Sequence, residues 1–119
     1  MDFEKLDVWK RSAALSADLY IVLRDLKDWG FKDQITRAGL SVPSNIAEGM
    51  SRDSVKKKVR FLGIAQGSCS ELRSQIYIGL KIGYVPNENG RAWLNEVREI
   101  GRMLAGLMHT LKKDLPSAQ

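Results

Sequence analysis

The chain is poor in the residues that most often carry metal or nucleophilic chemistry, with one cysteine, Cys69, and one histidine, His109, in 119 residues. A lone cysteine excludes an intrachain disulfide and suits a reducing cytosol. A metal centre built on these two residues needs several further ligands, so none is expected. Gly-rich phosphate loops, paired cysteines and a His-Glu helix pair are all missing. No apolar run approaches the length of a membrane span. The start, Met1-Asp2-Phe3-Glu4-Lys5, lacks the charged and apolar regions of a signal peptide, so the expected compartment is the cytoplasm. Nothing alternates in the manner of a strand. These absences point away from an enzyme, a cofactor, a metal or a membrane.

What is present is helical periodicity. At 119 residues, with 28% charged and 44% hydrophobic residues, the chain fits one globular domain, 1–115, followed by a frayed tail, 116–119. The first helical stretch runs from about Asp7 to Trp29, with Trp9, Ala13, Ser16, Tyr20 and Leu23 on a broad apolar face beside Leu15, Leu19, Val22 and Leu26. Gly30 reads as its stop signal. The second stretch spans about Lys32 to Met50 and contains Pro43, whose ring presses on the carbonyl of Gly39. Either the helix kinks there, or it breaks at Leu40 to Pro43 and reopens at Ser41 or Val42.

The third stretch starts at Asp53 or Ser54, either of which can cap it, and ends near Gly83 or Tyr84. Its seam is Val55, Val59, Leu62, Gln66, Cys69, Leu72 or Arg73, Ile76 and Leu80. Gly63 and Gly67, and again Gly79 and Gly83, stand four residues apart, a placement that invites close helix packing. Tyr84 to Gly90 reads as a loop. The fourth stretch, about Arg91 to Lys113, carries the seam Trp93, Val97, Ile100, Leu104, Leu107 and Leu111. Short connections between long helices favour antiparallel neighbours. The expectation is an all-α, antiparallel up-down-up-down four-helix bundle with helix two kinked at Pro43.

Two groups of polar residues stand out. Arg37, Ser41, Asn45 and Glu48 line one face of helix two, opposite Ile35, Ala38, Val42 and Ile46. Ser and Asn are poor helix-interior choices, so this stripe is expected to pack against something polar. Glu48 and Glu71 lack the Glu-x-x-His partners of a di-iron bundle. They are read as structural, pairing with Arg37 or Arg60, while Asn45 satisfies backbone groups near Pro43. The second group is Arg52, Lys56, Lys57, Lys58 and Arg60, five cations against one acid, Asp53, in a chain of net charge +5. It is either a phosphate-contact patch or a solvated helix face. Arg52, Lys56 and Arg60 form a ridge if helix geometry reaches back to Arg52. Farther along, Glu96 and Glu99 are expected to offset Arg98 and Arg102.

The ordered segments Asp7-Val8-Trp9, Gln34-Ile35-Thr36-Arg37-Ala38, Ser41-Val42-Pro43-Ser44-Asn45-Ile46-Ala47-Glu48-Gly49, Arg52-x-Ser54, Arg60-Phe61-Leu62-x-Ile64-Ala65-x-Gly67-Ser68 and Glu71-Leu72 resemble those of the four-helix-bundle proteins encoded in intervening sequences of bacterial 23S rRNA genes. The resemblance covers residues 7 to about 84. It implies a homopentamer with a basic surface, and kinship with accessory proteins of diversity-generating retroelements, which bind nucleic acid and a reverse transcriptase. It also implies that Arg37, Asn45, Glu48 and Glu71 hold the assembly rather than perform chemistry, and Ser41 is read with them as part of one structural polar network or subunit contact. The functional expectation is a non-enzymatic, homo-oligomeric protein binding RNA or DNA by backbone charge. The alternative is an oligomeric scaffold for a protein partner such as a reverse-transcriptase-like polymerase.

Overall fold

A computed structural model describes residues 2–113 and Leu115; the tail expected at 116–119 lies outside the described residues. Among the described residues, four helices follow a short 3-10 turn: α1 (Asp7–Val22), α2 (Trp29–Met50), α3 (Val55–Lys81) and α4 (Asn87–Lys112). Among the described residues there is no strand. Each helix packs only on its neighbours around a square: α1 on α2, α2 on α3, α3 on α4, and α4 back on α1. The directions follow from the cross-links. Ser41 meets Ser68 between α2 and α3, while Arg11 meets Glu96 and Asp18 meets Trp93 between α1 and α4. Between α1 and α4 the numbers rise on one helix as they fall on the other, and the same holds for α2 and α3, where Gly49 lies by Phe61 and Gly79 by Phe31, and for α3 and α4, where Gly63 lies by Met108 and Gly90 by Leu80, so these neighbours are antiparallel. The bundle measures 50 × 25 × 22 Å.

One hydrophobic core runs its length. Leu19, Ile35, Ile46, Leu62, Leu72, Ile76, Ile100 and Leu104 are completely buried in it. The seam expected on α4, the Ile35–Ala38–Val42–Ile46 face of α2 and the Leu62, Cys69, Leu72, Ile76 and Leu80 part of the α3 seam point inward, whereas Val55 and Val59 stay outside the core and Gln66 lines the groove between α3 and α4. On α1 the seam turns from its expected position. Val8, Ser12, Leu15 and Leu19 face the core, while Trp9, Ala13 and Tyr20 border an outer groove against α2. Ser12 tolerates burial because its hydroxyl donates to the Trp9 carbonyl at 3.0 Å.

Three boundaries differ from expectation, each for a local reason. α1 ends at Val22 rather than Trp29, and Gly30 lies in the first turn of α2. The deciding residue is Asp28, whose carboxylate caps α2 by accepting from the Phe31 amide at 3.1 Å. α4 opens at Asn87 instead of Arg91, directly after Pro86, with Glu88 placed where an acid suits the helix dipole. Gly90 is therefore a buried helix residue. A Cβ there would come within 2.3 Å of a Leu80 methyl. α3 opens where expected, and of its two expected caps Ser54 takes the role, accepting from the Lys57 amide at 3.2 Å.

α2 runs unbroken through Pro43, so the alternative of a break at Leu40 to Pro43 does not hold. The Asn45 amide donates to the Ser41 carbonyl at 2.8 Å, next to the turn that the proline disturbs. α3 closes as expected, with Gly83 at φ +79°, the Tyr84 amide on the Gly79 carbonyl at 2.9 Å and the Gly83 amide on the Leu80 carbonyl at 3.3 Å. This is the paired closure that a left-handed glycine permits.

Candidate functional site

The five cations of the α2–α3 corner do not act as one group. α3 begins at Val55 with Ser54 as its cap, so Arg52 lies in the connecting turn and the ridge Arg52–Lys56–Arg60 does not form. Arg52 instead reaches back to Glu48, 3.2 Å away, and lies over the Phe61 ring at 4.8 Å. Lys58 is half-buried, and its ammonium donates to the Met50 carbonyl at 3.3 Å and to the Arg52 carbonyl. It closes the C-terminal end of α2, where cations are favoured. Lys57 pairs with Asp53 at 3.4 Å, which holds the Asp53 carboxyl below the usual carboxylate range. Lys56 and Arg60 are exposed and have no ion pair among the described residues. The surface that can meet an anion is thus Lys56, Lys57 and Arg60, on the first turns of α3.

The polar stripe of α2 also divides. Ser41 and Ser68 share a hydroxyl hydrogen bond of 2.7 Å, and Asn45 donates to the Ser41 hydroxyl at 2.9 Å, tying α2 to α3. Arg37 pairs with Asp33 at 3.0 Å on the surface and Glu48 with Arg52. Neither glutamate pairs with Arg37 or Arg60, which corrects that expectation. Glu71 is exposed beside a small cleft that Arg37, Gln34, Ser41 and Ser44 also line, and it makes no ion pair among the described residues. Helical spacing places Arg37 and Asp33 one turn apart on a solvated face, so the local pair wins over the longer reach.

His109 is exposed in the last turn of α4, and no group of three or more His, Cys, Asp or Glu residues gathers as a metal-binding set among the described residues. Cys69 is buried, and burial pushes its thiol up to about 11. A thiol so protonated at neutral pH is a packing group.

A second basic feature escaped the sequence reading. Between α3 and α4 lies an open groove of about 660 Å³, floored by Gly63, Gly67 and Gly101 and walled by Arg73, Arg98 and Arg102. Glu96 does not offset these arginines. Its carboxylate faces α1, where Arg11 grips it with two bonds of 2.6 and 2.9 Å. That bond holds the Glu96 carboxyl below its ordinary range and raises Arg11 above its own. Only Glu99 keeps the expected role, reaching Arg102 at 3.4 Å. The available signal was the helical register: Glu96 lies two residues from Arg98, toward a different neighbour.

The model of the 23S rRNA-intervening sequence protein family matches residues 4–106. The chain belongs to that family. Among solved structures it is similar to a protein of unknown function from the S23 ribosomal protein family of Bacteroides thetaiotaomicron, with a TM-score of 0.81 and 21% identity over 85% of this chain and 97% of that one. At that identity the likeness speaks for the fold. Among curated proteins none gives a significant match. No helix among the described residues is long and apolar enough to cross a membrane.

Proposed function

We propose that this member of the family is a non-enzymatic, homo-oligomeric protein that associates with RNA or DNA through backbone phosphates, without reading bases. The observation that carries the proposal is the exposure of Lys56, Lys57 and Arg60 on adjoining turns of α3, in a segment, 51–60, whose sequence holds one acid, Asp53. Flexible lysines on a helix suit phosphate oxygens as point charges and carry no base preference. Aromatic rings do not alternate with them, so stacking on unpaired bases has no platform there. In a homopentamer, which the family resemblance implies, five copies of +5 give +25. Repetition raises avidity without any new contact.

Fluorescence anisotropy on a mixed panel of RNA and DNA tests this reading. Affinity should fall steeply with salt and vary little with sequence, with a log–log slope of about −0.9 per phosphate neutralised on duplex DNA. Lys56→Glu with Lys57→Glu should weaken binding uniformly while leaving helicity and oligomer size unchanged. Equal binding by the double variant and the parent would reduce the corner to a solvated face. A scaffold for a protein partner then takes precedence, favoured by the apolar groove between α1 and α2 that Trp9, Tyr20, Leu40 and Pro43 line.

A further inference from the structure

We propose that the groove between α3 and α4 is a second anion site, built to seat a chain of phosphate groups on bare helix backbone between Arg73, Arg98 and Arg102. Three independent features converge on it. The first is shape: an open groove of about 660 Å³ is far larger than one ion needs. The second is charge. Three guanidinium groups border the groove, and no carboxylate lines it among the described residues, although Arg102 is paired with Glu99 at 3.4 Å beside it. The acid that sequence spacing suggested as a counterweight, Glu96, is turned away and held by Arg11. Arg98 is steadied from the side by the Tyr77 hydroxyl, to which it donates. That bond fixes the arginine's position without neutralising its charge.

The third feature is the floor. Each interior glycine costs a helix roughly 1 kcal/mol relative to alanine. Gly39, Gly49, Gly79 and Gly90 offset that cost, because a Cβ at any of them would come within 3.0 Å of a neighbouring side chain. Gly67 and Gly101 have no such offset: nothing lies within 4 Å of the Cβ either would carry, which among the other helical glycines holds also for Gly106, outside the groove. Gly63 is nearly as open, with the Met108 methyl at 3.8 Å. Packing within the chain does not explain glycine at these positions, whereas close approach of an external group does.

The arrangement selects a ligand with more than one phosphate. Arg98 and Arg102 are one helical turn apart, a rise of about 6 Å along α4. Arg73 stands across from them on α3. Guanidinium groups fork onto phosphate oxygens in pairs, so three of them along a trough favour successive phosphates over a single ion. Such a chain comes from a nucleic-acid strand or from an inorganic polyphosphate. In the first case the groove extends the nucleic-acid reading above, and in the second it is independent of it.

The test uses the full chain and two probes: inorganic tripolyphosphate, followed by calorimetry, and a mixed-sequence single-stranded oligonucleotide, followed by anisotropy. Gly67→Leu fills the floor where space is open, so the variant should fold with unchanged or slightly higher thermal stability. Arg73→Gln with Arg102→Gln removes two walls, and Lys56→Glu with Arg60→Glu serves as the control at the corner. The expected result is at least a tenfold loss of affinity for one or both probes in the two groove variants, with tripolyphosphate binding unchanged in the corner control. Oligonucleotide loss alone assigns the groove to a strand, and tripolyphosphate loss alone to a polyphosphate. Should the parent bind tripolyphosphate and no oligonucleotide, and the groove variants lose that binding, the nucleic-acid reading falls and the groove stands. The proposal is overturned if both groove variants bind both probes as the parent does, or if the parent binds neither.

Discussion

At the scale of single residues, the partner a charge chooses decides what it can do. Arg11 and Glu96 illustrate this, since both lie among other charges and bind each other at 2.6 Å across two helices. The bond holds the Glu96 carboxyl below its ordinary range, mainly through the hydrogen bond from Arg11. A depressed carboxyl contributes stability that is fully present above its unfolded-state pKa and is lost as pH falls through the folded one. The fully folded parent should therefore lose stability on acidification through the lower part of the carboxylate range. Glu96→Gln should be less stable than the parent at neutral pH and approach it in acid. Urea midpoints measured at several pH values check this, and parallel curves for the two proteins would remove Glu96 from the account.

The same scale shows what the sequence could not reveal about the basic cluster. Five cations between Arg52 and Arg60 are visible in the sequence, but their division is not. Lys58 turns back onto the end of α2 because the chain reverses at Ser51 to Ser54 and brings the Met50 and Arg52 carbonyls within reach. Arg52 is fixed by Glu48 and Phe61 for the same reason. Both assignments depend on the geometry of the turn. Lys56 and Arg60 stay exposed because α3 carries them away from it.

At the scale of elements, periodicity made most of the bundle legible. Apolar residues at steps of three and four located four helices, and the inward faces of α2, α3 and α4 lie where those steps put them. Ends were harder, because a cap depends on which side chain turns toward a free amide. Asp28 takes that role while Gly30 looks stronger in isolation. Pro43 is a case where context overrides a helix breaker. It lies in an unbroken α2, with its ring buried beside α1. Pro43→Ala returns an amide donor for the Gly39 carbonyl and gives up part of a buried ring, opposing effects that should leave stability within about 1 kcal/mol of the parent. Gly39→Val should cost about 1–3 kcal/mol through overpacking. The crowding comes from α1, since a Cβ on Gly39 would stand 2.3 Å from a methyl of the fully buried Leu19. Thermal denaturation of both variants decides the matter. A large loss in Pro43→Ala would show that the fixed proline dihedral is required.

At the scale of the whole molecule, the described surface is more apolar than the monomer's own packing requires. Trp29 is 72% exposed, Ile21 58% and Ile78 51%, and Tyr20, Leu40, Ile64, Tyr77 and Ile82 accompany them. Single exposed apolar residues are ordinary, but these gather along the α1–α2 face and along α3. Trp29, Tyr20 and Leu40 border the outer side of α1 and α2, while Ile64, Ile78 and Ile82 recur along α3. Two unlike patches on one chain suit a head-to-tail contact, in which one face of a copy meets the other face of the next, and such contacts close into rings. With the pentamer that the family resemblance implies, light scattering or sedimentation at micromolar concentration should give a species near five times 13.4 kDa. Leu40→Lys with Ile78→Lys places a charge in both patches at exposed positions, so the variant should keep its helicity and dissociate toward the monomer. A parent that sediments as a monomer across the concentration range would overturn the assembly. It would also leave the corner lysines to bind phosphates one chain at a time, with a shallow salt dependence as the measurable consequence.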